Sequence, residues 1–494
     1  MDEQVKTWLA QQDARIYVVG GTVRDRLLGR PIYDLDLAVP GDGLALARRL
    51  ADHFRGAYYA LDEARSTGRA ILPGAEGQYL IVDVARFRGL EPAQPSTPEQ
   101  GLAADLDDRD FTINALAADI RALDDVIDRH GGLKDLADGL IRPVSEHGIL
   151  DDPLRALRAV RLAAGLDFAL APETEALIRR DGAALSQVSG ERVRDELARL
   201  LAQPRAAGYL DQLDRLGLLT VIFPELEPLR GTTQSPPHHL DALEHSLETV
   251  RGLEAVLGAL GALDSSPSPV STLHLAELAP YAGRLLAHVS QKLGEERPRL
   301  VTLKLAALLH DTGKPGTRSV EAGGRIRFIG HESESVSITA EALRRLRFNR
   351  AEVRLASTII QYHSRPLQLA SQESVSSRAV YRFFRDSGEA GVDVLLHTLA
   401  DHLAKGSSGA QGDTWSRLLS LVARMLADYY ERAAEKVDPP SLLDGNDLML
   451  QFGLPPGPQI GVLLELVREA QVSGEVRTRQ EALLLVRSQL AGDH

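Results

Sequence analysis

The sequence predicts an α+β protein, with a small mixed sheet near the N-terminus and helices over almost all of the remaining chain. Short β-rich runs alternate with helical stretches only within the first 120 residues. After Phe111, apolar residues recur at helical spacing through to residue 494. A chain of 494 residues is too long for one ordinary core, so we expect several domains.

Composition restricts the class of protein. Apolar residues make up 44% and charged residues 25%, which is typical of a soluble globular protein. The chain shows no apolar run long enough to span a membrane, and its acidic, polar start does not resemble a signal peptide. We therefore expect a cytoplasmic protein without a membrane partner. The absence of Cys excludes disulfides, thiol nucleophiles and Cys-based zinc sites. A net charge of −13 argues against nucleic-acid binding through overall basicity, although a local site is compatible with it.

The N-terminal elements follow from hydrophobic alternation and glycine positions. A strand over residues 15–19 ends at Gly20-Gly21, and a helix begins at Thr22. The pattern then predicts a strand over 33–39, a helix over 44–54, further strands over 58–61, 70–72 and 79–84, and a polar loop over 89–101.

Breaks in the helical remainder suggest domain boundaries. Loop-forming residues cluster at 231–237, at 264–269 and at Pro439-Pro440. We predict four segments: a head over 1–135, a helical neck over 136–230, a larger helical domain over 231–438 and a helical tail over 439–494.

Two carboxylates mark the first candidate site. Asp34 and Asp36 flank one residue on a predicted strand, so their side chains share a face. Paired carboxylates repel one another, and a divalent cation such as Mg²⁺ or Mn²⁺ relieves that repulsion. Asp83, on another predicted strand, is a candidate third carboxylate near the metals, although we favour an ordinary aspartate at the end of a strand.

A glycine turn precedes this pair. Gly20 and Gly21 let backbone N–H groups approach a phosphate beside a helix N-terminus, and Arg24 follows in the first helical turn. Glycines, a helix and then two carboxylates are the arrangement expected of a nucleotidyltransferase head.

Four motifs carry a family resemblance across about residues 15–205. They are Gly20-Gly21-Thr22-Val23-Arg24-Asp25 with Asp34-Leu35-Asp36, then residues 109–116, 151–158 and 191–197. In this order they resemble the class II tRNA nucleotidyltransferase and bacterial poly(A) polymerase family. The resemblance implies a polymerase-β-like palm and a neck. It also implies template-independent attack of a tRNA 3′-hydroxyl on the α-phosphate of CTP or ATP, with Asp34 and Asp36 holding Mg²⁺.

A carboxylate and a guanidinium are predicted to select the base. Asp152 and Arg155 are three residues apart on an expected helix and so share a face. Cytosine and adenine each present an amine beside a ring-nitrogen acceptor, which such a pair recognises. The resemblance assigns this role to the pair, and contacts with the nucleotide's sugar and phosphates to Arg109 and Asp110. Asn114 is expected to bind the triphosphate or to brace the head. Arg158 and Arg161, further round the same helix, are expected to contact either the triphosphate or carboxylates that pack against the helix.

Two departures from the family concern the final nucleotide. Asp108 stands where a basic residue is common, and residues 86–106 are fewer than the flexible loop expected of full CCA-adding members. That loop is implicated in the change from C to A addition. The chain is therefore expected to add CC, with a separate A-adding enzyme completing the end, or else the whole CCA; addition of A alone is the less favoured alternative.

The helical region 238–402 contains a second candidate site. An apolar helix ends in His310-Asp311, and together with four further residues this pair resembles the metal ligands of HD-superfamily phosphohydrolases: His245, His331, His363 and Asp401. Imidazole and carboxylate ligands suit Ni²⁺, Mn²⁺, Co²⁺, Fe²⁺ or Zn²⁺. The resemblance implies 2′,3′-cyclic phosphodiesterase or phosphatase activity, with Lys314 as a candidate phosphate contact. Other histidines of the region are expected to be ordinary surface or helix-capping residues: His238, His239, His397 and His402.

Three other functions compete with this interpretation. A poly(A) polymerase of the same family would extend many RNA 3′ ends with ATP. An HD phosphohydrolase with an inactive head is opposed by the intact Asp34 and Asp36 pair. A non-catalytic RNA-binding protein is opposed by the acidic balance and by two complete sets of candidate metal ligands.

Overall fold

The computed structural model of the chain describes residues 3–32, 34–74, 79–88, 97–265, 273, 275–294, 297–406 and 412–492. It divides into two compact units, one of residues 1–188 and 212–221 and the other of residues 189–211 and 222–494. The predicted α+β class is confirmed, because one large sheet near the N-terminus is followed mainly by helices. The four predicted segment boundaries stay predictions.

A mixed sheet forms the centre of the first unit. Its strands are β1 (Tyr17–Val19), β2 (Asp34–Val39), β3 (Ala57–Asp62), β4 (Thr67–Pro73), β5 (Tyr79–Arg86), β6 (Leu116–Asp119) and β7 (Val126–Asp128). They lie in the order β3-β4-β5-β2-β1-β6-β7. Strands β2 and β5 pair in parallel, and the other neighbours are antiparallel.

The first helices cover and extend this sheet. They are α1 (Glu3–Ala10), α2 (Gly21–Leu27), α3 (Gly43–His53) and α4 (Pro98–Asp107). Helix α3 buries Leu46, Ala47, Leu50 and Ala51, which recur at intervals of three and four and so form one helical face. These residues belong to the same hydrophobic cluster as buried residues of β2, β4 and β5. The core therefore lies between α3 and the sheet.

Two strands of the sheet differ from the prediction. The helical pattern after Phe111 was expected to continue, but β6 and β7 lie there instead. Strand β6 reads Leu-Ala-Ala-Asp, and alanine favours helices in isolation. Its backbone pairs with β1 on one side and β7 on the other, so tertiary pairing overrides local propensity.

The predicted loop over 89–101 ends earlier than expected. Helix α4 begins at Pro98, where the Thr97 side chain accepts a hydrogen bond from the Gln100 N–H and the Gln100 side chain accepts one from Thr97 N–H. This reciprocal cap, with proline in the first turn, explains the helix start. Residues 89–96 of the predicted loop lie outside the described residues, as do most of those in the loop predicted at 264–269.

The chain continues with helices and one small strand pair. These elements are α5 (Gly132–Asp138), β8 (Leu140–Ile141), α6 (Gly148–Asp151), α7 (Leu154–Leu166), β9 (Ala169–Leu170), α8 (Pro172–Asp181), α9 (Gly190–Leu201), α10 (Ala206–Arg215) and α11 (Leu219–Ile222). Strands β8 and β9 are parallel and only two residues long, which is too short for hydrophobic alternation to reveal them.

The second unit is mainly helical from residue 242 onwards. Its elements there are α12 (Ala242–Ser265), α13 (Ala282–Ser290), β10 (Lys292–Leu293), β11 (Arg297–Pro298), α14 (Arg299–Leu309), α15 (Lys314–Thr317), β12 (Arg318–Val320), β13 (Ile326–Phe328), α16 (His331–Arg345), α17 (Arg350–Tyr362), α18 (Arg365–Ala370), α19 (Ser377–Ser387), α20 (Gly391–Leu403), α21 (Asp413–Glu431), α22 (Ala433–Lys436), α23 (Gly445–Phe452), α24 (Pro458–Ser473) and α25 (Arg479–Gly492).

Helix α14 lies in the interior of this unit. Every residue from Val301 to Leu309 is buried, so the helix is covered on all sides. It therefore delivers the residues that follow it, His310 and Asp311, into the centre of the unit. In the part of the chain that the structure describes, no helix combines the length and apolarity needed to cross a membrane.

Candidate active sites

The two carboxylates of the head are fixed by the helix before them. Asp34 and Asp36 lie on β2 with one residue between them. The Thr22 hydroxyl in α2 donates to the Asp34 carbonyl oxygen at 3.2 Å and accepts from the Asp36 N–H at 2.9 Å. One buried side chain thus ties the first turn of α2 to the backbone that carries both carboxylates.

The electrostatic setting of Asp36 favours a bound cation. In the parallel pair of β2 and β5, Asp36 lies opposite Asp83. Burial raises the pKa of Asp36, nearby Asp83 and Asp34 raise it further, and Arg109 partly offsets them. A divalent ion beside Asp36 would relieve both the burial and the repulsion, so these residues are suitable ligands for Mg²⁺.

Asp83 also has a structural partner. Its carboxylate accepts two hydrogen bonds of 2.8 Å from Arg69 on β4, in a bidentate pair. Asp83 lies in the middle of β5 rather than at its end. The expected strand-end position was wrong, because the strand continues to Arg86. The Arg69 pair supports a structural role for Asp83.

Gly20 allows an arginine to approach the glycine turn. Gly20 has φ +69°, and a Cβ there would lie 2.5 Å from Nη1 of Arg109. Arg109 is held by Asp105, whose Oδ2 accepts from its Nε and Nη2 at 3.0 and 2.8 Å. The guanidinium therefore lies against the turn that precedes α2, where we predicted phosphate binding.

A hydrogen-bonded chain links other predicted site residues. Arg24 donates to both oxygens of Asp25 at 2.9 Å and to Asn114 Oδ1 at 2.7 Å. Asn114 donates to Asp110 at 3.0 Å, and Arg158 donates to Asp110 at 3.2 Å. Burial opposes ionisation of Asp110, but Arg158 and these hydrogen bonds hold its pKa below the usual range. Arg24 and Asn114 therefore brace the site in this conformation.

The structure thus brings most of the predicted head residues together. We call this set the head cluster: Gly20, Gly21, Arg24, Asp34, Asp36, Arg109, Asp110, Asn114 and Arg158. Sequence reasoning missed the contributions of Thr22 and Asp105. Their signal was weak, because a threonine beside glycines and an aspartate four residues before Arg109 are both common at helix ends and on helix surfaces.

The predicted base-selecting pair does not share one helix face. Asp152 has extended backbone angles between α6 and α7, and α7 begins at Leu154, after Pro153. This expectation was wrong because proline disfavours a helical conformation at the residue before it. The Asp152 carbonyl still accepts the Arg155 N–H at 2.9 Å, and the Arg155 guanidinium donates to the Asp108 carbonyl at 2.8 Å. Arg161 lies further along α7 and is half-buried.

The last motif of the resemblance lies in the second unit. Residues 191–197 belong to α9, and Arg194 there donates to the Arg347 carbonyl oxygen at 2.6 Å. Three other residues of this motif are buried: Val193, Glu196 and Leu197.

The second candidate site gathers residues at the ends of five helices. His245 lies near the start of α12, His310 and Asp311 follow α14, and His331 begins α16. His363 follows α17, and Asp401 lies near the end of α20. We call these six residues the histidine–aspartate cluster. All six predicted HD residues are therefore brought together.

Short distances define this cluster. His245 Nε2 lies 2.9 Å from Asp401 Oδ1, and His310 Nε2 lies 3.2 Å from Asp311 Oδ2 and 3.8 Å from Asp401 Oδ1. His331 Nε2 lies 3.6 Å from Asp311 Oδ1. Ligand atoms lie within 4.8 Å of one another in two groups that share Asp311, one with His245 and His310 and one with His331 and His363. A shared carboxylate between two groups suits a pair of divalent ions.

Three of the histidines are oriented as metal ligands. Nδ1 of His310, His331 and His363 lies 2.9, 2.8 and 2.7 Å from the carbonyl oxygen three residues earlier. Donation to that carbonyl places the proton on Nδ1 and leaves Nε2 as the acceptor nitrogen. The residues present therefore match a divalent transition metal.

Opposite charges keep the two carboxylates ionised despite burial. Burial raises the pKa of Asp311, but His310 and Lys314 outweigh it and the pKa lies well below the ordinary value. Lys405 and His245 act in the same way on Asp401. Burial, followed by the nearby charge of His310, lowers the pKa of His363 to about 4. The cluster therefore supplies anionic carboxylates and, at His363, a neutral imidazole, which are forms that bind metals. Burial opposes protonation of His310, but Asp311 and Asp401 outweigh it and raise the pKa of His310.

A basic cleft adjoins the histidine–aspartate cluster. Lys314 Nζ lies 2.6 Å from Asp311 Oδ2 and 2.5 Å from the Gln234 side-chain oxygen. The cleft has a volume of about 470 Å³, and its lining includes His238, Lys314, Arg325, Arg327 and His331. Its cationic side chains suit a phosphate-bearing ligand.

The expectation for the remaining histidines was wrong at two positions. His397 and His402 are buried on α20, whereas we expected surface or helix-capping residues. His397 lies one helical turn before Asp401 and so shares its face. That spacing was the available signal, although histidines also occur in helices for other reasons.

Known protein families match four parts of the chain. Residues 16–142 match the Poly A polymerase head domain, and residues 167–229 match the probable RNA and SrmB-binding site of polymerase A. Residues 272–408 match the HD domain, and residues 437–486 match the putative tRNA nucleotidyltransferase domain 2. The HD match begins after His245, so that residue of the histidine–aspartate cluster lies outside it.

Two relatives resemble the chain over nearly its whole length. The A-adding tRNA nucleotidyltransferase of Deinococcus radiodurans is 35% identical over 95% of this chain and 94% of that protein. The CC-adding tRNA nucleotidyltransferase of Thermus thermophilus is 33% identical over 94% of this chain and 92% of that protein. A solved structure of a CCA-adding enzyme with ATP is 22% identical and superposes with a TM-score of 0.65 over 99% of this chain and 96% of that one. This structural likeness shows the same fold.

Proposed function

The chain belongs to the family of tRNA nucleotidyltransferases, and from this we propose that it adds cytidine from CTP to the 3′ end of tRNA and stops at CC. The observation that carries the proposal is the head cluster, in which a carboxylate pair on β2 lies close to the glycine turn and Arg109. In this reaction the tRNA 3′-oxygen bonds to the α-phosphorus of CTP while the bond to pyrophosphate breaks.

Each part of the head cluster has a task in this proposal. Asp34 and Asp36 would hold Mg²⁺, which would supply positive charge at the reacting oxygens. Thr22 keeps the two carboxylates in register. Arg109, which lies against the glycine turn, binds the triphosphate. The hydrogen bond from Arg24 to Asn114 braces the neighbouring part of the site.

Base choice is assigned to Asp152 and Arg155. Both side chains belong to the junction of α6 and α7, and the Asp108 carbonyl fixes the Arg155 guanidinium. A carboxylate that accepts from the exocyclic amine and a guanidinium that donates to the ring nitrogen favour cytosine or adenine over uracil and guanine. This pair admits CTP and ATP alike, so another feature must separate them.

The short connection after β5 favours CC addition. Strand β5 ends at Arg86 and α4 begins at Pro98, so only residues 87–97 are available for the loop that the change to ATP requires. A partner enzyme then adds the final A. The second candidate is A addition, which the similarity to the A-adding relative from Deinococcus radiodurans favours. The poly(A) polymerase alternative has less support, because the two full-length relatives carry names of tRNA enzymes.

We also propose that the histidine–aspartate cluster hydrolyses phosphoesters, including 2′,3′-cyclic phosphates at RNA ends. The six residues would hold a divalent transition metal, which would supply the positive charge that activates water. Lys314 and the basic lining of the adjoining cleft bind the phosphate. Attack of water on a 2′,3′-cyclic phosphate breaks one ester bond and leaves a phosphomonoester. Hydrolysis of that monoester would release phosphate and a free tRNA 3′-hydroxyl for cytidine addition.

Substitution of both head carboxylates tests the transfer reaction. The double variant Asp34→Ala, Asp36→Ala is incubated with labelled CTP and a tRNA that lacks its CCA end. Substitution of a residue that hydrogen-bonds to a metal ligand lowers activity roughly 10- to 100-fold. Because the double variant loses the metal ligands themselves, we expect its rate of cytidine incorporation to fall by more than this. Asp52→Ala, at an exposed position of α3, is the control and should keep wild-type incorporation. Normal incorporation by the double variant would refute the role of the pair.

A further inference from the structure

His397 lies inside the second unit, against the histidine–aspartate cluster. It belongs to α20, one turn before Asp401, and its side chain is fully buried. Its ring centroid lies 5.0 Å from that of His310 and 5.5 Å from that of His363. It therefore lies beside one histidine from each of the two groups of ligand atoms that share Asp311, and it belongs to neither group itself.

The hydrogen-bonding state of the His397 ring is unusual for a buried histidine. Among the described residues, neither Nδ1 nor Nε2 of His397 has a hydrogen-bond partner, and both atoms are buried. By contrast, His288 Nε2, also buried in this unit, lies 3.0 Å from Asp393 Oδ2. An imidazole buried with two unused nitrogens is unfavourable unless something else satisfies it.

The spacing of the rings matches shared coordination. Metal–nitrogen bonds of about 2.1 Å place two imidazole centroids on one ion roughly 4.6 to 5.3 Å apart. The separation of His397 from His310 lies in that range, and so does the 5.1 Å between His310 and His363. His310 also has a buried Nε2 without a hydrogen-bond partner among the residues described. Both imidazoles thus have a buried nitrogen without a hydrogen-bond partner among the described residues.

We propose that His397 is a further metal ligand of the histidine–aspartate cluster, on the side between His310 and His363. It supplies a neutral imidazole nitrogen to a divalent transition metal and is additional to the six residues predicted from the sequence. The proposal rests on the proposed metal centre, but it requires neither the hydrolytic activity nor its substrate.

Metal binding by the full chain tests the proposal directly. Purified protein is stripped with a chelator and titrated with Co²⁺, and the visible absorption, the dissociation constant and the ions bound per chain are measured. His397→Phe keeps a buried aromatic ring and removes both nitrogens. We expect it to lose an ion or to bind Co²⁺ at least about 10-fold more weakly, with an altered absorption spectrum, because a nitrogen donor is lost.

His402→Phe is the matched control. His402 is buried on the same helix and stacks on Trp415, with centroids 5.8 Å apart, so its ring points to a different neighbour. This variant should bind Co²⁺ like the wild type. Thermal unfolding of both variants checks that they fold, and His397→Gln provides a second substitution if His397→Phe does not.

The outcomes separate this proposal from the metal centre itself. Unchanged stoichiometry, affinity and spectrum in a folded His397→Phe variant would overturn the ligand assignment and leave His397 a packing residue. His310→Ala serves as the reference for the centre. If both His310→Ala and the wild type bind no Co²⁺, the proposed metal centre fails, and the His397 proposal fails with it.

Discussion

Gly20 shows how a single backbone position controls the head cluster. Its positive φ is a conformation that side chains with a Cβ rarely adopt, and the Cβ of alanine would collide with Arg109. Gly20→Ala must therefore displace either the turn or the guanidinium. We expect kcat/KM for CTP to decrease by about 10-fold or more, because small misplacements of a binding group are costly. Steady-state incorporation measurements check this.

Gly29 provides the control for Gly20. It also has a positive φ, of +65°, but a Cβ there would meet nothing within 4 Å. Gly29→Ala should lose about 1 kcal/mol of stability from backbone strain and keep its activity. If Gly20→Ala and Gly29→Ala lost activity equally, backbone strain rather than the collision with Arg109 would be the cause of the loss.

Individual site residues differed in how far the sequence revealed them. Alternation along a strand was enough to place Asp34 and Asp36 on one face. It was not enough for Asp152, since Pro153 ends the regular helical geometry there. His397 required the tertiary structure, because its neighbours His310 and His363 come from other parts of the chain.

At the scale of elements, long amphipathic segments were predicted well and short ones poorly. Helix α3 and strand β2 follow their hydrophobic periods. Strands β6 and β7 did not, because four and three residues carry too little pattern. Their formation depends on backbone pairing, of β6 with β1 and of β7 with β6. Helix α4 was hidden within a segment rich in proline and glycine, although its cap at Thr97 has a recognisable sequence.

The C-terminal helices contain a pH-sensitive contact. The Asp447 carboxylate in α23 pairs with Arg479 at the start of α25 and accepts a hydrogen bond from Asp444 N–H. These contacts lower the pKa of Asp447 to about 2. A carboxyl with a depressed pKa stabilises the fold above its unfolded pKa of about 3.9. That stabilisation is lost as the pH falls through the folded pKa.

Asp447→Asn should therefore destabilise the chain at pH 7 and have less effect at lower pH. Denaturant unfolding of the wild type and the variant between pH 7 and about pH 2 measures the difference. Asp438→Asn, at an exposed position between α22 and α23, is the control and should show little effect at any pH. If the difference in the free energy of unfolding between Asp447→Asn and the wild type grew as the pH fell, the stabilising role of ionised Asp447 would be contradicted.

At the scale of the whole molecule, the two proposed reactions are assigned to separate sets of residues. The head cluster lies in the first unit, and the histidine–aspartate cluster lies in the second. The double variant His310→Ala, Asp311→Ala should lose phosphoester hydrolysis and keep cytidine addition on tRNA with a free 3′-hydroxyl, since the sets share no residue. Parallel assays of both activities check this. Loss of both activities in a folded variant would show that the two reactions depend on each other.

The central claim is that this tRNA nucleotidyltransferase adds CC. Three tRNA transcripts, ending at the discriminator base, at C or at CC, are incubated with Mg²⁺ and labelled CTP or ATP, and the product lengths are read on a gel. We predict two cytidines on the first transcript, one on the second, and no adenosine on the third. Addition of adenosine to the third transcript would contradict the claim: with cytidine addition intact it would show a CCA-adding enzyme, and without it an A-adding enzyme.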